Sequence, residues 1–351
     1  METKINNKRR VGKSLFLFTL ISLMTTSCVN EFVPDELDAF DKDAMFSQTV
    51  YRPTLGRTTV FTDNFMAGNS TQPLTFTILD VRHADGTPAP ELTTDYPVKV
   101  WKKPYLGTEK SLEEIEAKRA TEYMPLLQVR KHSGEIVVHA ETASSFVRIS
   151  PDEGYLFDVR AENSGGYKEF ADLKIVPVRE MNYEPNNIDE ETGIVTQDYV
   201  HPLSVTNMFK LGGTQRQLTT DDVQVWFREN KELPASPTTL TFRFLGDDMK
   251  PINPAKFKQT DWVGLLHGFN MQMTDEYVRY EVAYPMPLVN VSSDYTDKTG
   301  EKQHVRFAFD RIVRNNMRLT ASMSFDFAIY KEGNWEIVFV FSGGTPDFED
   351  R

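Results

Sequence analysis

The fold is decided by an alternating stretch near the C-terminus, Leu319-Thr-Ala-Ser-Met-Ser-Phe-Asp-Phe-Ala-Ile-Tyr330. Apolar and polar side chains alternate with period two, which is typical of a β-strand that buries one face. A second strand follows in Trp335-Glu-Ile-Val-Phe-Val-Phe341, and Lys331-Glu-Gly-Asn334 between them predicts a hairpin turn. We therefore expect a β-sheet domain at this end of the chain.

The same pattern recurs through the rest of the chain, broken by Gly, Pro, Asn and Asp roughly every 10 to 20 residues. Strands are predicted at 74–79, 98–101, 134–139, 155–160 and 172–177 in the first half, and at 222–227, 240–245, 277–284 and 305–309 in the second. Residues 163–166 predict a hairpin turn. The expected fold class is all-β, with two antiparallel β-sandwich domains of the Ig-like or jelly-roll-like type.

One short helix is predicted as an insertion in the first sandwich. Ser111 precedes Leu112-Glu-Glu-Ile-Glu-Ala-Lys-Arg-Ala120 and can cap its amino end, with Glu114 at the capping-box position.

Acidic and turn-forming segments divide the chain. Residues 180–198 are rich in Asp, Glu and Asn and poor in apolar side chains, so they predict an acidic linker. Residues 28–48 predict a flexible acidic tether, because such a segment cannot bury much surface. The expected organisation is a signal peptide at 1–27, the tether at 28–48, sandwiches at 49–179 and 199–346 joined by the 180–198 linker, and a tail at 347–351.

The amino-terminal residues indicate export and lipidation. Basic side chains occupy positions 4 to 13, and an apolar run of about ten residues follows, Leu15-Phe-Leu-Phe-Thr-Leu-Ile-Ser-Leu-Met24. As a helix this run spans roughly 15 Å, too short for a bilayer core of roughly 30 Å, so it predicts a secretory signal. Cys28, the only cysteine, follows directly after Ser27.

Composition narrows the function classes. The formal net charge is −12, which argues against nucleic-acid binding, and a single cysteine excludes an intramolecular disulfide. The sequence has no phosphate-binding glycine loop, zincin helix or nucleophile elbow, and its six histidines lack metal-ligand spacing. We therefore expect no catalytic residues, no cofactor and no metal, although a hydrolase that uses a pair of carboxylates remains an alternative.

The spacing of oxygen-bearing side chains suggests one metal site, a calcium loop at residues 187–198. An EF-hand loop needs glycine at its sixth position, whereas Gly193 stands at the seventh and no flanking helices are expected. The solvated linker is the favoured interpretation.

Aromatic side chains are the remaining candidates for a ligand site, because their faces can support sugar rings. Trp101, Trp226 and Trp335 lie within strand patterns, where packing in the core is the favoured explanation. Trp262 and Tyr295 lie in turn-rich stretches, so they are the first candidates for a ligand platform.

The position of Cys28 resembles that of the acylated cysteine in a bacterial lipobox, with Thr25 departing from the usual Leu. The acidic residues after it resemble those of surface lipoproteins in Bacteroidota. An uncharacterised lipoprotein domain family of these bacteria resembles this chain in three stretches: from Tyr51-Arg-Pro-Thr-Leu-Gly-Arg-Thr-Thr-Val60 through Leu92, Pro97-Val-Lys-Val-Trp-Lys-Lys103, and residues 111–119. That resemblance implies an accessory lipoprotein of a glycan-uptake system, anchored in the outer membrane by lipid on Cys28 and exposed at the cell surface, with the periplasmic face as the alternative.

Three functions remain open at this stage. A non-catalytic surface protein would bind polysaccharide beside an outer-membrane transporter. A structural or adhesive subunit of the fimbrial type would lose an amino-terminal segment by cleavage after an arginine, for which Arg52 and Arg57 are the candidates. An enzyme acting on glycans or peptides is the third.

Overall fold

The computed structural model describes residues 38–212, 216–313 and 316–350. Within these ranges the chain is mostly β-strand and folds as an all-β sandwich, which confirms the predicted fold class. Buried apolar side chains form two separate clusters, one drawn from residues 46–175 and the other from residues 208–341. The signal peptide and Cys28 lie outside the described residues.

The first cluster is enclosed by strands of the first half of the chain. In chain order these strands are β1 (Met45–Phe46), β2 (Val50–Tyr51), β3 (Thr59–Phe61), β4 (Phe65–Met66), β5 (Thr75–His83), β6 (Asp95–Trp101), β7 (Arg119–Pro125), β8 (Leu127–Val129), β9 (Ile136–Val138), β10 (Tyr155–Asn163) and β11 (Gly166–Ile175). A four-stranded sheet has the order β2-β11-β10-β5, a three-stranded sheet the order β3-β9-β8, and β1 pairs with β4. Asn163 pairs with Gly166, as the hairpin prediction requires.

Strands β6 and β7 form a separate antiparallel pair in the first half of the chain, which we call the arm. Two small helices flank β6: α1 (Pro90–Thr93) precedes it, and α2 (Leu112–Glu116) lies between β6 and β7. The prediction of one helix over residues 112–120 was right at its start, where Ser111 Oγ accepts a hydrogen bond from the Glu114 amide at 3.3 Å. It was wrong at its end, because Arg119 and Ala120 pair with β6 instead. Helix α1 was not predicted.

Nine further strands surround the second cluster: β12 (Tyr183–Glu184), β13 (Ser204–Thr206), β14 (Gln224–Glu229), β15 (Thr239–Leu245), β16 (Phe269–Met273), β17 (Tyr277–Glu281), β18 (Gln303–Val313), β19 (Met317–Ile329) and β20 (Trp335–Val340). Short 3₁₀ helices occupy Thr220–Asp222 and Pro254–Lys256. One sheet has the order β14-β20-β15-β17-β16, and in the other β19 pairs with β12, β13 and β18. Their inner faces meet through aromatic rings such as Phe325 and Phe339, whose centroids are 5.7 Å apart.

The predicted hairpin at residues 331–334 is wrong. Strand β20 pairs with β14 and, in parallel, with β15, whereas β19 belongs to the opposite sheet. Both strands carry apolar side chains that the facing sheet buries, so residues 331–334 cross from one sheet to the other. Trp335 is buried in the second cluster, as predicted.

The predicted tether, linker and tail all have packed residues where the structure describes them. Phe40 and Phe46 contact the first cluster, and a Cβ on Gly165 would lie 2.2 Å from the Asp38 carbonyl oxygen, so the predicted tether is not free beyond Asp38. In the predicted linker, Tyr183 stacks on Phe227 at 4.2 Å between centroids. In the predicted tail, Phe348 packs on Phe309 at 4.4 Å. The acidic composition of the predicted tether and linker suggested solvation, but their aromatic residues pack against the two clusters.

Several polar contacts join the two halves. Arg57 Nη1 pairs with Glu184 at 2.6 Å, Arg119 Nη1 donates to the Tyr284 carbonyl oxygen at 2.7 Å, and Lys99 faces Glu332 at 3.8 Å. Among the described residues, no helix has both the length and the apolar character needed to cross a membrane.

Candidate functional site

Trp262 packs its indole against the second cluster rather than presenting it to solvent. Its ring centroid is 5.6 Å from that of Phe307 and 6.3 Å from that of Phe244. The hydroxyl of buried Tyr280 donates a hydrogen bond to the Trp262 carbonyl oxygen at 2.5 Å, which fixes the backbone of this segment. The ring is half-buried, and most of its contacts are with core aromatic residues.

Tyr295 lies where the second sandwich meets the segment that links β6 and β7. Its ring stacks on His267 at 5.3 Å between centroids and 5° between planes. His267 Nε2 donates to the Glu109 carbonyl oxygen at 2.9 Å, and Nδ1 accepts from the Tyr105 hydroxyl. One neutral tautomer satisfies both bonds. Burial raises the pKa of Tyr105, so the phenol keeps its proton. Tyr295 is thus part of a structural contact, and no ring contact joins it to Trp262 in the described residues.

The outer face of the five-stranded sheet carries a different set of aromatic side chains. We call it the arginine–aromatic face: Trp226, Arg228, Arg243, Tyr277 and Arg279. In register, Trp226 lies opposite Val338, Val338 opposite Arg243, and Arg243 opposite Tyr277. These four side chains form one row across four strands, about 14 Å at a strand spacing of about 4.8 Å. The expectation that Trp226 packs in the core is therefore wrong, because its strand position faces outward.

Arginine side chains stack on the aromatic rings of this face. The Arg228 guanidinium lies 5.9 Å from the Trp226 ring centroid, and Tyr277 has Arg243 at 5.1 Å and Arg279 at 4.7 Å. Arg243 also has carboxylate partners, since its Nε is 3.4 Å from Glu336 and its Nη1 is 3.7 Å from Glu276. Stacking of this kind holds a guanidinium in place while leaving its N–H groups available.

A cleft of about 150 Å³ opens at one end of this face, between β16, β17 and the turns before β15 and β20. We call it the edge cleft. Three apolar side chains line it, Leu233, Pro234 and Pro237. The rest of its lining is polar and consists of Thr239, Asn270, Gln272, Arg279, Glu281 and Asn334.

Some polar groups of the edge cleft are held by hydrogen bonds within the protein. Buried Asn334 accepts from the Thr239 hydroxyl and donates to the Pro234 carbonyl oxygen, both at 2.9 Å. Asn270 Nδ2 donates to Glu281 Oε2 at 2.7 Å. These bonds fix the walls, so the cleft is a preformed feature rather than a gap between loose side chains.

Arg279 is one of the two charged side chains that line the cleft. Its Nε donates to Thr241 Oγ1 at 3.1 Å, which leaves both terminal nitrogens as donors. Within the described ranges, no Asp or Glu oxygen lies within 4 Å of its guanidinium nitrogens. A half-buried arginine without a carboxylate partner is the strongest single anchor for a ligand in this cleft.

A second groove, of about 440 Å³, lies beside Leu211 and Phe348. Its acidic groups already have partners: Asp247 accepts from Thr345 Oγ1 at 2.7 Å, and Asp248 pairs with Lys250 at 2.8 Å. This pairing makes the groove a poorer candidate than the edge cleft.

No set of three or more His, Cys, Asp and Glu side chains that could hold a metal ion occurs in the described part of the chain. In the 187–198 segment, the Asp189 carboxylate accepts from the amide of Thr192 at 2.7 Å and from its hydroxyl at 2.7 Å. These hydrogen bonds lower the pKa of Asp189.

The sequence contained a signal for the edge cleft that the search for isolated aromatics missed. In Tyr277-Val-Arg-Tyr-Glu281 the alternation places Tyr277, Arg279 and Glu281 on one face of a strand whose other face is apolar. Which strands lie beside them, and therefore which amides and prolines complete the cleft, depends on sheet order.

Comparison with models of protein families gives a match over most of the chain. The family model described as a domain of unknown function, DUF5007, matches residues 65–350. No curated protein matches the chain.

Proposed function

The chain belongs to the DUF5007 family, and from that premise we propose that it is a non-catalytic, lipid-anchored envelope protein that binds glycan. Its lipid would be carried by Cys28, and its location would be the outer membrane, facing the cell surface. The glycan would be captured beside an outer-membrane transporter, as an accessory to nutrient uptake. The support for the anchor and the location is the amino-terminal sequence and the resemblance to Bacteroidota surface lipoproteins.

The observation that carries the binding function is the edge cleft. A sugar ring offers an apolar C–H face and a rim of hydroxyl groups, and the lining of the cleft combines apolar side chains with amide, guanidinium and carboxylate groups. A volume of about 150 Å³ is below the roughly 300–1,000 Å³ of pockets that enclose a drug-sized ligand. The cleft therefore fits one ring or a chain end, with the rest of a polymer in solvent.

The test is binding of soluble polysaccharides to the full mature chain in detergent micelles, measured by calorimetry. We expect the double variant Gln272→Ala and Asn270→Ala to bind glycan with at least tenfold lower affinity, because both amides line the cleft. Asn207→Ala, whose amide bonds the Thr320 carbonyl oxygen away from the cleft, is the matched control and should bind as the wild type does. Equal affinity in all three proteins, or no glycan bound by the wild type, would contradict the proposal.

The proposed location has its own test. Protease added to intact cells should remove the full-length protein, while a periplasmic marker stays intact and a Cys28→Ala variant is lost from the membrane fraction. Protection until the outer membrane is broken would place the protein on the periplasmic side and contradict surface exposure.

A further inference from the structure

The charge balance of the edge cleft points to the class of sugar. The chain has a net charge of −12, yet the cleft presents an arginine that has no carboxylate partner in the described residues. Arg243, its neighbour on the same sheet face, has two. A half-buried charge is stabilised most by an opposite charge that also accepts its hydrogen bonds.

The geometry of Arg279 suits a carboxylate. Thr241 Oγ1 accepts from its Nε at 3.1 Å, and the Tyr277 ring lies 4.7 Å from the guanidinium carbon. Both contacts restrict rotation of the side chain, so the two terminal nitrogens are already oriented when a ligand arrives. A planar fork held in this way can donate two parallel hydrogen bonds to one carboxylate.

Glu281 sits two residues further along the same strand and complements this arrangement. One of its oxygens accepts from Asn270 at 2.7 Å, and the remaining acceptor capacity suits a sugar hydroxyl. Its negative charge repels an anionic ligand. We therefore expect Glu281 to weaken the binding of a carboxylated sugar and Arg279 to strengthen it.

Resting on the proposed glycan-binding function, we propose that the edge cleft recognises a sugar that bears a carboxylate, with Arg279 as the residue that binds it. A uronic acid within a polysaccharide has this chemistry: a ring with hydroxyl groups and one carboxylate at its edge.

The test compares the acid form of each glycan with its neutral methyl ester. Oligosaccharides of polygalacturonate, alginate and hyaluronan are each titrated into the full mature chain beside their methyl-esterified forms. We expect at least one acid form to bind about 10- to 100-fold tighter than its ester, the range for a charge-assisted pair of hydrogen bonds. Arg279→Gln should abolish this preference, and Arg279→Lys should retain part of it.

Two further variants make the result specific. Glu281→Gln should tighten binding of the acid form, because it removes a like charge from the cleft and keeps an acceptor. Arg228→Gln removes an arginine of the same sheet face that lies outside the cleft, and it should leave both affinities unchanged. Thermal unfolding of each variant shows whether the fold is retained.

The outcomes separate the two proposals. Binding of neutral polysaccharides at the cleft, without binding of any acid form, would overturn this inference and leave the glycan-binding function standing. Equal binding of acid and ester forms by the wild type would also overturn the inference. Failure to bind any glycan would overturn both.

Discussion

Trp262 shows how a residue can look like a ligand platform in the sequence and yet pack against the core. Its neighbours, Asp261 and Gly264, are turn residues, and this predicts exposure. An indole buries a large area when it packs, and here the nearby rings of Phe307 and Phe244 provide the partners. Those partners lie 18 and 45 residues away along the chain, so local sequence carries no signal of them.

We expect Trp262→Ala to lower the free energy of unfolding by about 2–4 kcal/mol, since it removes a large ring from an aromatic cluster. Affinity for glycan at the edge cleft should stay within twofold of the wild type. Urea denaturation and calorimetric titration measure the two quantities. A variant of unchanged stability that loses glycan binding would show instead that Trp262 is a ligand platform.

A second prediction at this scale concerns Asp158 on the outer face of the first sandwich. Its two oxygens each accept from Arg82 at 3.1 Å, and one also accepts from the Asp172 amide at 2.8 Å. Burial alone would raise the pKa of Asp158, but these hydrogen bonds lower it below its ordinary value. The stabilisation is therefore complete above about pH 4, and it is lost as the pH falls through the lowered pKa.

Asp158→Asn should cost about 1–3 kcal/mol at pH 7, because charge-assisted hydrogen bonds are lost. The difference from the wild type should narrow below pH 4, where the wild-type carboxylate becomes protonated. Urea denaturation at a series of pH values gives both quantities. Asp80→Asn, which removes a more exposed partner of Arg82, is the control and should cost less. A difference that stays constant with pH would contradict the assigned ion pair.

At the scale of the element, strands were predictable where the alternation of side chains was strict. The runs at 155–160 and 240–245 lie within observed strands, and the run at 319–330 lies within β19 except for Tyr330, because each buries one face of a sheet. The α2 start was predictable as well, since Ser111 forms its capping bond within four residues. Signals of this kind are local and need no knowledge of the partners.

The pairing of strands that are distant in the chain could not be predicted from local sequence. A turn-like segment at 331–334 connects two sheets instead of two neighbouring strands, and helix α2 ends early because Arg119 pairs with Trp101. The edge cleft has the same origin: Arg279 comes from β17, Gln272 from the neighbouring strand β16, and Pro234 from a loop about 45 residues away from Arg279. The order of the strands in the sheet brings these groups together. The alternation of side chains along a strand gives no information about that order.

The segment between β6 and β7 depends on one buried carboxylate. The Glu109 side chain is 2% exposed; it accepts from the Leu106 amide at 3.0 Å and pairs with Lys118. Burial alone would raise its pKa, but these two partners lower the pKa of Glu109 to about 2. The carboxylate is therefore charged at all physiological pH values, and it holds residues 106–118 in the conformation that contacts His267.

Glu109→Gln should loosen this segment, because it removes the charge opposite Lys118 while keeping the size of the side chain. We expect amide hydrogen exchange in residues 104–118 to quicken about 10- to 100-fold at neutral pH, with the two sandwich cores unaffected. Mass spectrometry of peptic peptides measures this. Glu122→Gln breaks the exposed pair with Lys102 on the same arm and should change little. Unchanged exchange in the Glu109 variant would contradict the role given to this carboxylate.

At the scale of the whole molecule, two cores are joined by a few specific contacts outside either core. The arm formed by β6 and β7 provides one of the most buried of them. Arg119, whose side chain is 4% exposed, donates to the Tyr284 carbonyl oxygen at 2.7 Å, pairs with Glu116, and lies 5.2 Å from the Trp101 ring. The arm thus connects the first sandwich to the strand end beside the edge cleft, since Tyr284 follows β17 and its hydroxyl bonds the Thr239 carbonyl oxygen.

Arg119→Ala should uncouple the unfolding of the two halves, because it removes the hydrogen bond from the guanidinium to the Tyr284 carbonyl oxygen. We expect the wild type to unfold in one calorimetric transition and the variant in two, with the lower transition at least 5 °C below that of the wild type. Arg130→Ala removes an exposed arginine of the first sandwich, paired with Glu135 at 2.9 Å, and should keep a single transition. If the wild type already unfolds in two steps, the arm does not couple the cores. If the Arg119 variant keeps one transition, the coupling instead rests on contacts such as the Arg57–Glu184 pair, and the same measurement on Arg57→Ala would identify it.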